Sequence, residues 1–546
     1  MGDKPDARTP IGGNVAHPSR QRTKTPVLCL TKDTHDEIFA IRQGNRSDGC
    51  EFVNPPNWGL TDGESADILL SMNDLPAPVG ISVEDWAATP AAVRVLVATL
   101  IEQVAGLRER VNKNSRNSSK PPSSDGPGAP PQRKRAPSGR QRGGQKGHVG
   151  RGRSLKPVEC VNRVEELKPT SCAACGALLL GEDANPARHQ VTELPRVEPV
   201  MTEYRQHTLE CLVCGAHTTA EWPIDMPKGS FGPCCQATVG YLSGRMGMSQ
   251  RDVEETMVAL FRTDISLGSI PAQEERVSAA LVKPVEEACA YVQQQPVNNV
   301  DETGWREKSK RCWLWINTTP RVTVFMVLTT RSAESARHLL GAVAQKVVGS
   351  DRWSAYNWLA AEWRQLCWAH LKRDFQAFVE RGGDTERIGC ALLEQVEQLF
   401  RLWHRVRDGT LSRAGFQTAV QPVQMRVGEL LREGTTLTCD KTRRTCTNLL
   451  ALETALWTFV RVEGVEPTNN DAERRLRRAV LWRRRSFGTQ SEGGSRFVER
   501  VLTAVITLRQ QQRDVLDYLT AACAAAIRGD KPPSLLPSTA LVNVAT

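Results

Sequence analysis

Between residues 297 and 368 the chain passes through a fixed succession of short apolar stretches, and this succession narrows the fold more than any other feature. Residues 297–300, 312–317 and 322–328 read as three strands, the last two flanking a turn that contains Pro320. Residues 332–340 read as a helix. Residues 346–349 and 364–368 are a fourth and a fifth β-rich run. Residues 375–460 are then long and helical, and the chain from Thr468 to Leu519 returns to helix with a basic start.

A three-strand meander followed by a helix and a fourth strand is the order of a ribonuclease H-like core. Acidic residues sit at telling points along it. Asp301 closes the first run, Asp351 follows the fourth, and Glu473 lies in a stretch, 468–475, that reads as a capped helix start. Two strand-end aspartates and one helical glutamate can hold a pair of divalent cations, which activate a water or hydroxyl and stabilise the leaving oxygen at phosphorus. Oxygen donors suit hard ions, so Mg2+ or Mn2+ is the expected metal, two ions per site. Glu302 competes with Asp301 for this role, and Asp471 with Glu473. The gap from Asp351 to Glu473 is long for one connection, so the helical stretch between them is expected to be an inserted subdomain. His370 either touches the scissile phosphate or fills the wall of the site. Arg474, Arg477 and Arg478 lie on or near the glutamate's helix, and the guanidinium fork suits phosphate.

The remaining segments have distinct signatures. Cys172-Ala173-Ala174-Cys175-Gly176 and Cys211-Leu212-Val213-Cys214-Gly215 are two CxxCG knuckles. Together they have the layout of a zinc ribbon, in which Cys172, Cys175, Cys211 and Cys214 close a structural Zn2+ site. Cys234-Cys235 lacks that spacing and reads as buried packing. Val93, Val97, Leu100, Val104, Leu107 and Val111 alternate in steps of four and three, the seam of a short coiled coil, with a helix packed on its own chain as the alternative. An Asn/Ser/Pro/Gly tract follows and reads as a linker, and its basic glycine-rich continuation, with Arg142, Lys146 and His148, can follow a phosphate backbone. Ser249 and Ser266 can cap two short helices around a tight turn, as in a helix-turn-helix. Residues before about 85 show little periodicity and are expected to be poorly ordered; Met72 is a candidate natural start.

The 71 Lys+Arg against 61 Asp+Glu give a modest net charge of +10, but the cations cluster, which points to a polyanion such as nucleic acid. Sixteen cysteines and a polar N-terminus fit a reducing compartment, and no stretch approaches the roughly 20 apolar residues of a membrane span.

Taken together, residues 114–125 (NSRNSSKPPSSD), 142–148 (RGGQKGH), the paired knuckles, 300–305 (VDETGW), 350–356 (SDRWSAY), 367–375 (CWAHLKRDF) and 467–490 (PTNNDAERRLRRAVLWRRRSFGTQ) resemble the insertion-sequence-66 transposases. The match runs from about 93 to 520. The resemblance implies a DDE-type enzyme with Asp301, Asp351 and Glu473 as its catalytic acids and metal ligands. It implies nicking at the element ends, then attack of the freed 3′ hydroxyl on target DNA. The DNA contacts expected are Arg142, Lys146, His148, His370, Lys372, Arg474, Arg477 and Arg478. The expected partners are double-stranded DNA, other copies of the chain in a homo-oligomer, and small accessory proteins of the element, with no membrane. The expected location is the bacterial cytoplasm, at the nucleoid when DNA-bound.

The expected architecture is multidomain α+β/α/β. It comprises an extension (1–85), a leucine-zipper-like helix (86–113), a linker (114–157), a zinc-ribbon-like domain (158–225) and a helix-turn-helix-like segment (226–295). The ribonuclease H-like core (296–374) follows, with its helical insertion (375–460), its completion (461–525) and a tail (526–546). A non-catalytic DNA-binding regulator derived from a transposase, and a simple metal-dependent nuclease, are the competing readings.

Overall fold

The computed structural model describes residues 77–78, 80–118, 154–342 and 345–537. The chain forms two compact units, Met1–Gln103 and Val104–Thr546. Helix α1 (Val83–Ala88) begins at Ser82, whose hydroxyl accepts from the Asp85 amide at 3.0 Å. An ordered helix therefore starts inside the expected extension; residues 1–76, with Met72, lie outside the described residues. Helix α2 (Ala91–Asn112) carries the apolar seam. Val93, Leu100, Val104, Leu107 and Val111 on that seam are all exposed. Glu109 near its end pairs with Arg381 at 3.4 Å and with Lys441. Most of the linker, including Arg142, Lys146 and His148, lies outside the described residues.

The two knuckles form as separate, similar turns. In each, the first cysteine's amide donates across the turn, Cys172 to the Ala177 carbonyl and Cys211 to the Ala216 carbonyl, both at 2.8 Å. Gly176 and Gly215 take φ of 75° and 69°, left-handed values that explain a glycine after each second cysteine. A small ladder of β1 (Thr208–Glu210) and β2 (His217–Thr219) flanks the second knuckle.

Next come α3 (Pro233–Gly240), a widened helical turn at Tyr241–Met246, α4 (Gln250–Phe261), α5 (Ser269–Ala280) and α6 (Val282–Gln294). Ser249 caps α4 as expected, in a reciprocal box with Asp252. The second helix starts at Ser269 behind Gly268, three residues later than the Ser266 cap predicted. Ser266 instead bonds the Ser269 hydroxyl at 2.9 Å. Cys234 is exposed and Cys235 only half-buried, so this pair is not the buried packing its sequence suggested.

The five predicted strands form one mixed sheet. They are β3 (Val297–Glu307), β4 (Lys310–Thr318), β5 (Thr323–Leu328), β6 (Val347–Ser350) and β7 (Arg364–Leu366), in the order β5-β4-β3-β6-β7. The first three pair antiparallel; β6 joins β3, and β7 joins β6, in parallel. Helix α7 (Ala333–Leu340), capped by Ser332, precedes β6 and makes that parallel return possible. Gly349 on β6 lies so close to β3 that an added Cβ would overlap the Asn299 side chain.

Beyond the sheet lie α8 (Trp368–Arg381), α9 (Gly383–Arg407), α10 (Arg413–Ala419), α11 (Gln421–Gly434), α12 (Asp440–Ala451), α13 (Glu453–Leu456) and α14 (Thr458–Arg461). They close around their own aromatic core, in which Trp403 meets Phe416 and Phe459 edge-on at 5.4 and 5.3 Å. The chain then returns to the sheet with α15 (Asn470–Ser486), α16 (Glu492–Gln510) and α17 (Val515–Arg528). Strand alternation divides the sheet residues between two faces. Trp305, Leu314, Ile316, Phe325 and Val327 pack against α15 and α16, whereas Val300 and Trp315 pack against α7 and Tyr356. The described part of the expected tail is not loose. Leu535 is fully buried, its carbonyl accepts from Gln511 at 2.8 Å, and the Pro533 carbonyl accepts from Tyr518 at 2.6 Å.

Candidate active site

Strand parity decides between the adjacent acids of β3. Asp301 shares its face with Thr303 and Trp305, the face that α15 covers. Glu302 points to the other face, where it is 8 % exposed and fully engaged. It accepts from the Tyr356 hydroxyl at 2.6 Å and from Arg331 at 2.7 Å. Asp301 does not end its strand, as the sequence suggested, but sits within an 11-residue strand. The parallel pairing of β3 with β6 stops at Asn299 and Gly349, so Asp301 and Asp351 each lie two residues past the last pair, at the same sheet edge. The strand continues because its other side still pairs with β4, to Glu307.

Helix α15 brings Glu473 to this edge and is tied to β3 at both ends. Asn469, just ahead of the helix, donates its side-chain amide to the Val300 carbonyl at 2.6 Å, and its backbone amide to the Cys367 sulfur at 3.2 Å. Near the other end Arg483 donates to the Thr303 hydroxyl at 2.9 Å and to the Gly304 carbonyl. The competing acid, Asp471, is engaged by Arg474 at 3.1 Å and Arg475 at 2.8 Å.

The electrostatics show the convergence. Burial first, then the charges of Glu302, Asp351 and Glu473, push the Asp301 carboxyl well above the usual carboxylate range. Like charges repel, and the oxygens of Asp301, Asp351 and Glu473 do not all come within 4.8 Å of one another. A hard cation would relieve that repulsion, and the donors are of the type such an ion takes. Asp351 is braced: it accepts from the Trp353 amide at 2.9 Å, and its backbone carbonyl accepts from Arg364 at 2.8 Å. Arg331, lying over Trp353 with its guanidinium carbon 4.0 Å from the ring centroid, reaches Asp351 at 4.0 Å.

Glu473 has a second neighbourhood. Its Oε1 is buried without a hydrogen-bond partner, 3.5 Å from His370 Nδ1, which also lacks one, and 3.7 Å from Arg373. Burial, then the Arg373 charge, hold His370 below the ordinary imidazole range against the pull of Glu473. Cys367 completes a trio whose donor atoms lie within 4.8 Å of one another. A sulfur, a nitrogen and an oxygen donor make a possible metal site, of softer character than the aspartate pair. Among the described residues it is the one three-donor group this close, so the knuckle cysteines Cys172, Cys175, Cys211 and Cys214 are not brought together into one set. Within each knuckle the first thiol is nonetheless lowered by backbone amides and by its partner cysteine, as a thiolate donor requires.

The expected DNA contacts divide. Lys372, Arg477 and Arg478 are exposed, Arg474 is exposed but paired with Asp471, and His370 is turned inward to Glu473. Sequence reasoning passed over Arg331, Tyr356, Cys367 and Asn469. The last two stand in the CWAH and TNN stretches, and their position beside motif residues was the available signal.

Residues 229–496 match the family described as Transposase IS66 family. That segment, just under half of the chain, is similar to the family and supports an IS66-family transposase. Residues 83–154 match a family of unknown function, DUF6444. A relative, Uncharacterized protein y4qI of Sinorhizobium fredii (strain NBRC 101917 / NGR234), is 28% identical over 246 residues, 41% of this chain. The match spans 45% of that relative's length. No helix among the described residues is long and apolar enough to cross a membrane.

Proposed function

We propose that this chain is a DDE-type DNA transposase that cleaves the ends of its mobile element and joins them to target DNA. One observation carries the reading: Asp301 and Asp351 lie at one sheet edge and α15 delivers Glu473 to it, so that the charges of Asp351 and Glu473 both bear on the Asp301 carboxyl. The strand order β5-β4-β3-β6-β7 supports a ribonuclease H-like core made of 296–374 and 461–525, with 375–460 inserted.

Asp301, Asp351 and Glu473 would hold two Mg2+ or Mn2+ ions. When bound, such ions activate a water or a 3′ hydroxyl and stabilise the leaving oxygen. The chain's own residues fix the acids: Asn469 and Arg483 hold α15 on β3, Arg364 and the Trp353 amide orient Asp351, and Arg331 with Tyr356 keeps Glu302 out of the site. The knuckles would take a structural Zn2+ as a ribbon over 158–225, and 226–295 would add a helix-turn-helix-like DNA contact. The exposed stripe of α2 suits pairing between copies of the chain, and accessory proteins of the element remain part of the proposal. Work on DNA places the protein at the bacterial nucleoid.

The test is cleavage and joining of a labelled element end with Mg2+. Asp301→Asn, Asp351→Asn and Glu473→Gln should each abolish both steps and leave DNA binding. Full activity in any one shows that its acid is misassigned. Binding without cleavage in the wild type favours a DNA-binding regulator, and cleavage without joining favours a simple nuclease.

A further inference from the structure

Arg245 is 8 % exposed, and two of its guanidinium nitrogens, Nε and Nη1, are buried without a partner. A buried unpaired cation costs several kcal/mol, so a fold keeps one only where something else answers the charge. No carboxylate forms an ion pair with it among the described residues; its charged neighbours are Arg478 and Arg509. Burial, then those two cations, pull the guanidinium below the ordinary arginine range.

The backbone presents this side chain deliberately. Arg245 lies in the widened turn Tyr241–Met246, a form that recurs at functional sites. Gly244 beside it presses so closely on α16 that a Cβ there would collide with Val501. Gly247 then ends the turn in a left-handed conformation, φ 69°. A cavity of about 80 Å³ opens there, lined by Arg245, Arg478, Arg485, Leu481 and Trp482 among others. At roughly 10–15 Å³ per water-sized group it has room for the four oxygens of a phosphate. Arg478 and Arg485 are seven residues apart on α15, two turns, so they share a face.

We propose that Arg245, Arg478 and Arg485 form a seat for a backbone phosphate of the DNA duplex. The inference rests on the DNA-binding part of the proposed function and not on its chemistry. At about 1.5 Å per residue the two α15 arginines lie roughly 7 and 18 Å along the helix from Glu473. The seat would therefore grip the duplex a few base pairs from the scissile bond and fix its register, a positioning contact that reads no sequence.

The experiment is equilibrium binding of a labelled element-end duplex to the full-length chain, without divalent cation, across a salt series. Arg245→Met should weaken binding about tenfold, the loss of a charge-assisted hydrogen bond. It should also lower the slope of log affinity against log salt by about one, the value of one phosphate. Because it removes a buried unpaired charge, its melting temperature should hold or rise; a merely structural arginine would lower the melting temperature and leave the slope unchanged. The surface pair Arg478→Gln/Arg485→Gln, safe for folding, should lower the slope as well. Wild-type affinity and slope in both variants overturn the seat. So does protection of the wild type alone by inorganic phosphate with duplex binding unchanged, which would make the ligand a free anion. A wild type that never cleaves, while Arg245→Met still loses binding, sinks the catalytic reading and leaves the seat standing.

Discussion

Replacing Glu499 with glutamine should strengthen the fold above neutral pH and flatten its pH dependence. Glu499 is 5 % exposed on α16. Its carboxylate accepts from the Val327 amide on β5 and pairs with Arg496 at 2.8 Å. Burial outweighs both partners and pushes the carboxyl from 4.5 up to about 7. At 1.36 kcal/mol per pH unit that displacement is worth about 3 kcal/mol. The folded pKa is the higher one, so the folded state holds the proton more tightly. The stabilisation is full below about pH 4.5 and is lost as pH rises to about 7. Glutamine keeps an acceptor for the Val327 amide and carries no charge, and the partly exposed Arg496 stays solvated. Urea denaturation of Glu499→Gln and the wild type at about pH 5 and pH 8 reads the effect. The variant should match the wild type at the lower pH and gain up to about 3 kcal/mol at the higher. Parallel pH profiles, or a variant weaker at pH 8, would refute the reasoning.

Three further outcomes follow from particular contacts. Asn469→Ala removes the bond to the Val300 carbonyl; it should cost about 1–3 kcal/mol in denaturation and depress end cleavage while duplex binding persists. Tyr356→Phe leaves Glu302 short of a buried donor; a similar loss is expected by denaturation, with Mg2+-dependent cleavage reduced less than in Asp301→Asn. Zinc counted by mass spectrometry should be one per chain and fall to none in Cys172→Ser or Cys214→Ser; an unchanged count in both would remove the knuckles from metal binding.

Much of the sheet was legible because its strands are apolar runs cut by turns, and the start of α4 was legible because Ser249 is a local cap whose chemistry acts within three residues. The extent of β3 was not. Asp301, Glu302 and Thr303 are polar, and what holds them in a strand is the partner β4, far along the chain and invisible to local pattern. For the same reason the sequence left Asp301 and Glu302 as alternatives, and only strand parity separates them. Ser266 reads as the cap of the second helix because serine is a common cap, but its hydroxyl bonds Ser269 and the helix waits for Gly268. Cys367 and Asn469 belong together only after α15 has returned to the sheet across the inserted helices, a contact 102 residues long. The arginine seat is further still from local reading, since its members come from two elements more than 230 residues apart.

Manganese binding measures most directly whether Asp301, Asp351 and Glu473 act as one site. Titration of the full-length chain with Mn2+, following the paramagnetic signal of the free ion, should show two bound ions in the wild type. Both should be lost or greatly weakened in Asp301→Asn, and at least one in Asp351→Asn and in Glu473→Gln. Undiminished binding of the same number of ions by all three variants would contradict it.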